Sequence, residues 1–293
     1  MVLGPAAIAA CSSGTTSATK PVGDCPTAPV PVVVSVDQWG GIVDQLAGDC
    51  GAVTTIVKSS SADPHDYEPT PADSATFTDA KLVVQNGLDY DPWVDKAIDT
   101  LDTKPAIVDG GRVVGLAPGA NPHIWYGPTY VRKVSRAVTT ALKKLKPKAA
   151  TYFDERAAKW NRALEPYDAE IAKIKPVATG KTYGATEGIF DYMAEALGLR
   201  NKTPQGYQRA TANESDPAPG DVNELQQALA SGKMDVLIYN IQTQGSIPEQ
   251  IRSRADAATV PVVDVTETVP PGAKTFVAWQ VDQLRHLATA LGA

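Results

Sequence analysis

Three histidines occur in the 293 residues, at positions 65, 123 and 286, and their settings differ. His65 lies in SADPHDYEPTPAD and His123 in GANPHIWYGP. Each directly follows a proline, in a stretch rich in turn formers. Proline fixes φ and stiffens a loop, so both imidazoles are held in place. A neutral imidazole held in this way is suited to binding a metal or carrying a proton. His286 falls in QLRHLATA, a helical pattern where surface exposure or a helix-end contact is explanation enough. In the second half, Glu187 follows KTYGAT, and Glu267 follows PVVDVT in the segment VTETVPPG. Two imidazoles and two carboxylates form a mixed nitrogen and oxygen set that suits zinc, manganese or iron. Each residue also has a plainer reading. The loop histidines could be merely solvated, Glu187 could be an acid stabilised at a helix start, and Glu267 an ordinary loop acid.

The elements around these residues read as βαβ units. VVVSVD (32–37), AVTTIV (52–57), KLVVQNG (81–87) and AIVDGG (106–111) are strand-like runs separated by helical or polar segments. Such alternation implies a parallel sheet, with ligands gathering at the carboxyl ends of its strands. An amphipathic helix is expected over 129–146. A long linking helix follows over 147–175, with Pro147 at its first position, a kink at Pro166 and an end at Pro176. The theme then repeats. Strands are expected at 181–186, 235–240 and 261–266, helices over 187–199 and 221–233, and a closing helix at 276–293. TPQGYQRATANESDPAPGD reads as an exposed loop. The fold class is therefore α/β: two lobes, each a parallel sheet flanked by helices, joined by a long rigid helix.

Composition narrows the function. Lys and Arg total 27 against 33 Asp and Glu, a net charge of −6, so no basic face for nucleic acid is implied. G-x-G-x-x-G, P-loop, G-x-S-x-G and C-x-x-C motifs are all missing, which removes common nucleotide, hydrolase and thioredoxin readings. Three cysteines are too few for a disulfide scaffold or a cysteine-rich zinc module. Residues 1–10 are apolar and read as a signal remnant, although no basic n-region precedes them. Ile8-Ala9-Ala10-Cys11 resembles a lipobox with Cys11 as the acylated residue, and 11–30 reads as a tether. Cys25 and Cys50 are left as a candidate bridge in an oxidising compartment, two unpaired thiols being the alternative.

Several pieces together resemble one family. VVVSVDQWGGIVDQLAGD, DPHDYEPTPAD, KLVVQNGLDYDPWVDK, NPHIWYGP, TEGIFDYMAEALGL and VTETVPPG are similar to the zinc/manganese solute-binding lipoproteins of ABC metal importers, the cluster A-I (cluster 9) type. The resemblance covers nearly all of 31–293. It implies an N-terminal lobe (31–146), a linking helix (147–175), a C-terminal lobe (176–293) and a metal buried between the lobes. It implies His65, His123, Glu187 and Glu267 as ligands in that order, with no catalytic residues. The cargo implied is Zn2+ or Mn2+, with Fe2+ also accommodated. The partners implied are an ABC permease and its ATPase, with the monomer lipid-anchored to the outer face of the cytoplasmic membrane. Four departures stand out: Glu267 where the family commonly has Asp, no acid before the last proline of NPHIWYGP, no His-rich loop, and Pro166 inside the linking helix. Two other readings remain open, a surface adhesin and, more remotely, a zinc hydrolase. The second lacks the H-E-x-x-H signature and an identified general base.

Overall fold

The computed structural model describes residues 23–58 and 64–293. Cys11, the signal remnant and the first part of the tether lie outside the described residues. The first lobe is built on β1 (Val30–Val36), β2 (Gly51–Val57), β3 (Leu82–Gln85) and β4 (Ala106–Asp109), all parallel in the order β2-β1-β3-β4. The second lobe uses β5 (Thr182–Ala185), β6 (Arg200–Asn201), β7 (Val236–Asn240) and β8 (Val262–Val265), all parallel in the order β6-β5-β7-β8. The two sheets thus share one topology. In each, the chain moves outward on both sides of its first strand, which opens a crevice at the carboxyl ends. β1 and β3 are almost wholly buried, as strands covered on both faces must be, and this explains their unbroken valine-rich runs.

The helices of the first lobe are α1 (Asp37–Ala47), α2 (Pro71–Asp79), α3 (Trp93–Asp99), α4 (Gly110–Val114) and α5 (Pro128–Leu145). Those of the second lobe are α8 (Asp191–Leu197), α9 (Gln205–Ala212), α10 (Pro219–Ala230), α11 (Ser246–Ala257) and α12 (Phe276–Leu291). Where a loop was expected in TPQGYQRATANESDPAPGD, α9 forms, anchored by the buried ring of Tyr207. One buried aromatic on an otherwise polar turn leaves no periodic signal to read.

The linker also differs from expectation. It is two helices, α6 (Ala150–Ala163) and α7 (Glu165–Ala178), meeting at Leu164, and Pro147 opens a short 3-10 turn ahead of them. Pro166 lies in the first turn of α7, where a missing N–H costs nothing, so it marks a helix start. Pro176 does not end α7, which runs on to Ala178. α6 packs on α1 and α5 of the first lobe, while α7 packs on α8 and α12 of the second. Each half of the linker is therefore fastened to its own lobe.

A single apolar cluster runs through both lobes. Across the junction, Tyr126 packs edge-on against Phe190 and Trp279, and Trp160 tilts against Phe276. A close-packed core of this kind resists wide hinge motion. Cys25 and Cys50 are joined by a disulfide with Cα atoms 5.1 Å apart, at the amino-terminal ends of β1 and β2. His286 is exposed on α12. No helix among the described residues is long and apolar enough to cross a membrane.

Candidate metal centre

In the first lobe, the loops after β2 and after α4 carry the two histidines. The His65 loop ends in a capping box, where Thr70 and Asp73 satisfy each other's backbone donors at the start of α2. Tyr67 donates to Asp73 Oδ2 at 2.8 Å, and Trp93 Nε1 donates to the Pro64 carbonyl at 3.1 Å. These contacts hold the loop on both sides of His65. The His123 loop is held by Asn86, whose Nδ2 donates to the Pro122 carbonyl at 2.9 Å and whose Oδ1 accepts from Trp39 Nε1. Between the two rings stands Tyr90, fully buried, edge-on to His65 at 4.7 Å and to His123 at 6.0 Å. Trp125 packs on both Tyr90 at 4.9 Å and His123 at 5.2 Å, which completes a triangle of rings.

The tautomer of His123 follows from its neighbours. Asn121 Oδ1 accepts from the His123 backbone N–H at 3.0 Å, which identifies it as the amide oxygen. His123 Nδ1 lies 2.7 Å from that same oxygen, so Nδ1 must carry the proton and donate. The lone pair of the neutral ring is then on Nε2. Nε2 faces Glu267 Oε1 at 3.4 Å, with the His123 and Glu267 side chains 14% and 22% exposed. Two electron-rich atoms so close and so sheltered need a positive charge between them, either a proton or a metal cation.

In the second lobe, the loop after β7 organises both carboxylates. Asn240 Nδ2 donates to Glu187 Oε2 at 2.6 Å, and Thr243 donates to the other oxygen, Oε1. Asn240 Oδ1 accepts from the Gln242 backbone at 3.0 Å. Gln242 Oε1 in turn accepts the backbone N–H groups of Glu267 and Thr268 at 2.7 and 3.0 Å. A relay of amides therefore ties the Glu187 loop to the Glu267 loop. Burial pushes the Glu187 carboxyl above its ordinary range, and the Thr243 and Asn240 hydrogen bonds only partly offset this. Burial acts on Glu267 in the same direction, but the hydrogen bond and charge of His123, helped by Tyr90, outweigh it and hold that carboxyl low. Neighbouring acids pushed apart in this way are typical of functional sites.

The lobes meet directly here. Gln38 Nε2 donates to the Tyr90 hydroxyl at 2.8 Å and to the Glu267 carbonyl at 3.2 Å. Asn121 Nδ2 donates to the Gly188 carbonyl at 2.6 Å, and Tyr126 donates to the Thr266 carbonyl at 2.6 Å. His123 and Glu267 are in contact, whereas His65 turns toward Asp89 and Glu214, and Glu187 toward Asn240 and Thr243. Among the described residues no three His, Cys, Asp or Glu side chains converge closely enough to hold an ion as they stand. The four still share one electrostatic neighbourhood. The charge of Glu267 is felt by Glu187, and both histidines act on Glu267. Sequence reasoning did not identify the partners that aim them: Asn121, Tyr90, Glu214 and the 240–243 loop. Of these, only the 240–243 loop had a usable signal, a polar turn directly after a strand.

Residues 32–290 match the family described as ZnuA, zinc-uptake complex component A, periplasmic. Over 271 residues the chain is 22% identical to the high-affinity zinc uptake system protein ZnuA of Bacillus subtilis, which covers 86% of this chain and 82% of that protein. Over 287 residues it is 24% identical to the manganese ABC transporter substrate-binding lipoprotein PsaA of Streptococcus pneumoniae, covering 91% and 84% respectively. The Mn-bound periplasmic metal binding protein from Candidatus Liberibacter asiaticus shares the fold, with a TM-score of 0.73 at 19% identity over 89% of this chain and 98% of that one.

Proposed function

We propose, for a chain that belongs to the ZnuA family of periplasmic zinc-uptake components, that His65, His123, Glu187 and Glu267 hold a divalent transition metal between the lobes. Family membership makes the chain a metal-binding component of an uptake system and not an enzyme. The finer reading is that it works outside the cytoplasm, anchored through acylated Cys11, and hands its cargo to an ABC permease driven by an ATPase.

The contact between His123 Nε2 and Glu267 carries the assignment of the site, because a ring nitrogen and a carboxylate oxygen 3.4 Å apart and sheltered offer a seat that a metal ion can take in place of a proton. Neutral imidazoles and ionised carboxylates are the binding forms, so capture releases protons and weakens in acid. The sign follows from the two carboxyls. Glu187, raised, is protonated first as pH falls, whereas Glu267, lowered, stays ionised longer. Two carboxylates neutralise a +2 ion, which lessens the cost of burying it. Zinc binds such donors more tightly than manganese, while two oxygen donors favour manganese more than an all-histidine site would. A nanomolar site corresponds to about −12 kcal/mol, within reach of four sheltered ligands. Release then follows small shifts of the 187 and 267 loops, because the shared core and the fastened linker oppose a wide opening.

The test is the metal content of protein purified without added metal, beside His65→Ala and Glu187→Gln. Bound zinc or manganese in the wild type and depleted metal in both variants is expected. A metal-free wild type whose binding neither change affects would overturn the assignment.

A further inference from the structure

We propose that Glu214, on the loop after α9 of the second lobe, is the positioning residue for His65 of the first. The proposal rests on the reading of His65 as a metal ligand. His65 Nδ1 lies 3.2 Å from the Asp89 carbonyl oxygen and 3.3 Å from Glu214 Oε1. A carbonyl only accepts, so the contact with Asp89 requires a proton on Nδ1. The same N–H forks toward the Glu214 carboxylate, and the lone pair of the neutral ring is then on Nε2. A carboxylate on the far N–H of an imidazole fixes its tautomer and orientation and raises the basicity of the nitrogen that meets the cation.

The backbone supports the same reading. Among the described residues, four that are not glycine have positive φ: Leu88, Asp89, Glu214 and Thr259. Three of the four lie in the two loops that converge on His65. Side chains rarely adopt this conformation, and such strain gathers where a group must be presented at a fixed place. At Asp89 it accompanies a carbonyl presented to His65; at Glu214 it is the left-handed turn that closes α9, with the Ser215 N–H on the Ala210 carbonyl, and it leaves the carboxylate facing the same ring. The two histidines differ in this respect. His123 is oriented by Asn121, a neutral amide two residues away on its own loop. His65 is oriented in part by a charge 149 positions away, on the other lobe. Its strength as a ligand therefore depends on the two lobes being in register, which the shared core maintains.

The experiment uses the full chain with Zn2+ as the probe, in competition with a chelator of known affinity. Glu214→Gly removes the carboxylate and suits the left-handed backbone, and Glu214→Gln keeps an acceptor oxygen without the charge. His65→Ala serves as the reference. Zinc affinity should fall 10- to 100-fold in the glycine variant and less in the glutamine variant. In the glycine variant Nδ1 keeps the neutral Asp89 carbonyl at 3.2 Å but loses the charged acceptor, so in the metal-free protein 15N shifts of the His65 ring should move part of the way from the Nδ1–H tautomer toward a mixture, with His123 unchanged. If His65→Ala weakens binding but Glu214→Gly matches the wild type in affinity and tautomer, the positioning role is wrong and the ligand assignment stands. If affinity falls with the tautomer unchanged, Glu214 is itself a ligand and the positioning role is again wrong. If the wild type and His65→Ala bind zinc alike, the ligand assignment fails and takes the positioning role with it.

Discussion

The histidine half and the carboxylate half of the candidate site are built from different materials. His65 and His123 are wedged against Tyr90 and Trp125, on loops fastened by a capping box, an indole and a buried asparagine. Glu187 and Glu267 are held by Asn240, Gln242 and Thr243, which hydrogen-bond to them or to their backbone. Aromatic packing is short-ranged and leaves few alternatives, so the histidine half is set before the ion arrives. Hydrogen bonds tolerate small shifts of distance and angle while each donor keeps its partner, so the carboxylate half can adjust around the cargo more readily than packed rings can. The difference suggests that the first lobe supplies a fixed platform and the second the adjustment.

This contrast can be broken most directly by unequal damage. His123→Ala should lower zinc affinity by at least 100-fold, about 2.7 kcal/mol or more, because nothing in a packed cage can take the place of the imidazole. Glu267→Asp should lower it by only about 10-fold, because the amide relay lets that loop advance. Titrations giving equal losses would remove the distinction.

The disulfide offers the next test. Cys25 and Cys50 join the amino-terminal ends of the first lobe's strands, opposite the site. Replacing both with serine should cost roughly 3 kcal/mol of stability through the loop they close. Zinc affinity of the folded protein should be unchanged. A loss of affinity would mean that the platform depends on its distant end.

The smallest expected effect concerns Glu187. Its carboxyl is raised, so at neutral pH the ionised group opposes folding of the metal-free chain, and this cost fades as pH falls and the group protonates. Glu187→Gln should therefore raise the melting temperature of the metal-free protein at pH 7 by a few degrees, equivalent to about 1 kcal/mol. The gain should shrink as pH falls toward the carboxylate range. A lowered melting temperature at pH 7 would indicate that the Thr243 and Asn240 hydrogen bonds outweigh burial.

Much of this architecture was legible in the residues themselves. The valine-rich runs became buried parallel strands, and both proline-flanked histidines lie at carboxyl ends of the first sheet, because periodicity and proline act locally. Polar segments were harder to read. α9 buries only Tyr207, β6 is two residues long, and α11 buries only Pro248, Ile251 and Ala255 along its inner face. Pro176 stands inside α7, two residues before its end at Ala178, where the one backbone donor it removes disturbs only the last turn and does not stop the helix. The partners that orient the candidate ligands were least legible. Asn121 acts across a lobe boundary and Glu214 reaches His65 from a distant loop, so neither leaves a mark in local spacing.

The central claim is that two imidazoles from one lobe and two carboxylates from the other hold a single ion. Crystals of the metal-loaded chain, with anomalous scattering measured at the zinc and manganese edges, test it directly. One peak about 2.0–2.3 Å from nitrogens of His65 and His123 and oxygens of Glu187 and Glu267 is the predicted result. A fully loaded crystal with its peak elsewhere, or with ligands drawn from one lobe alone, would contradict it.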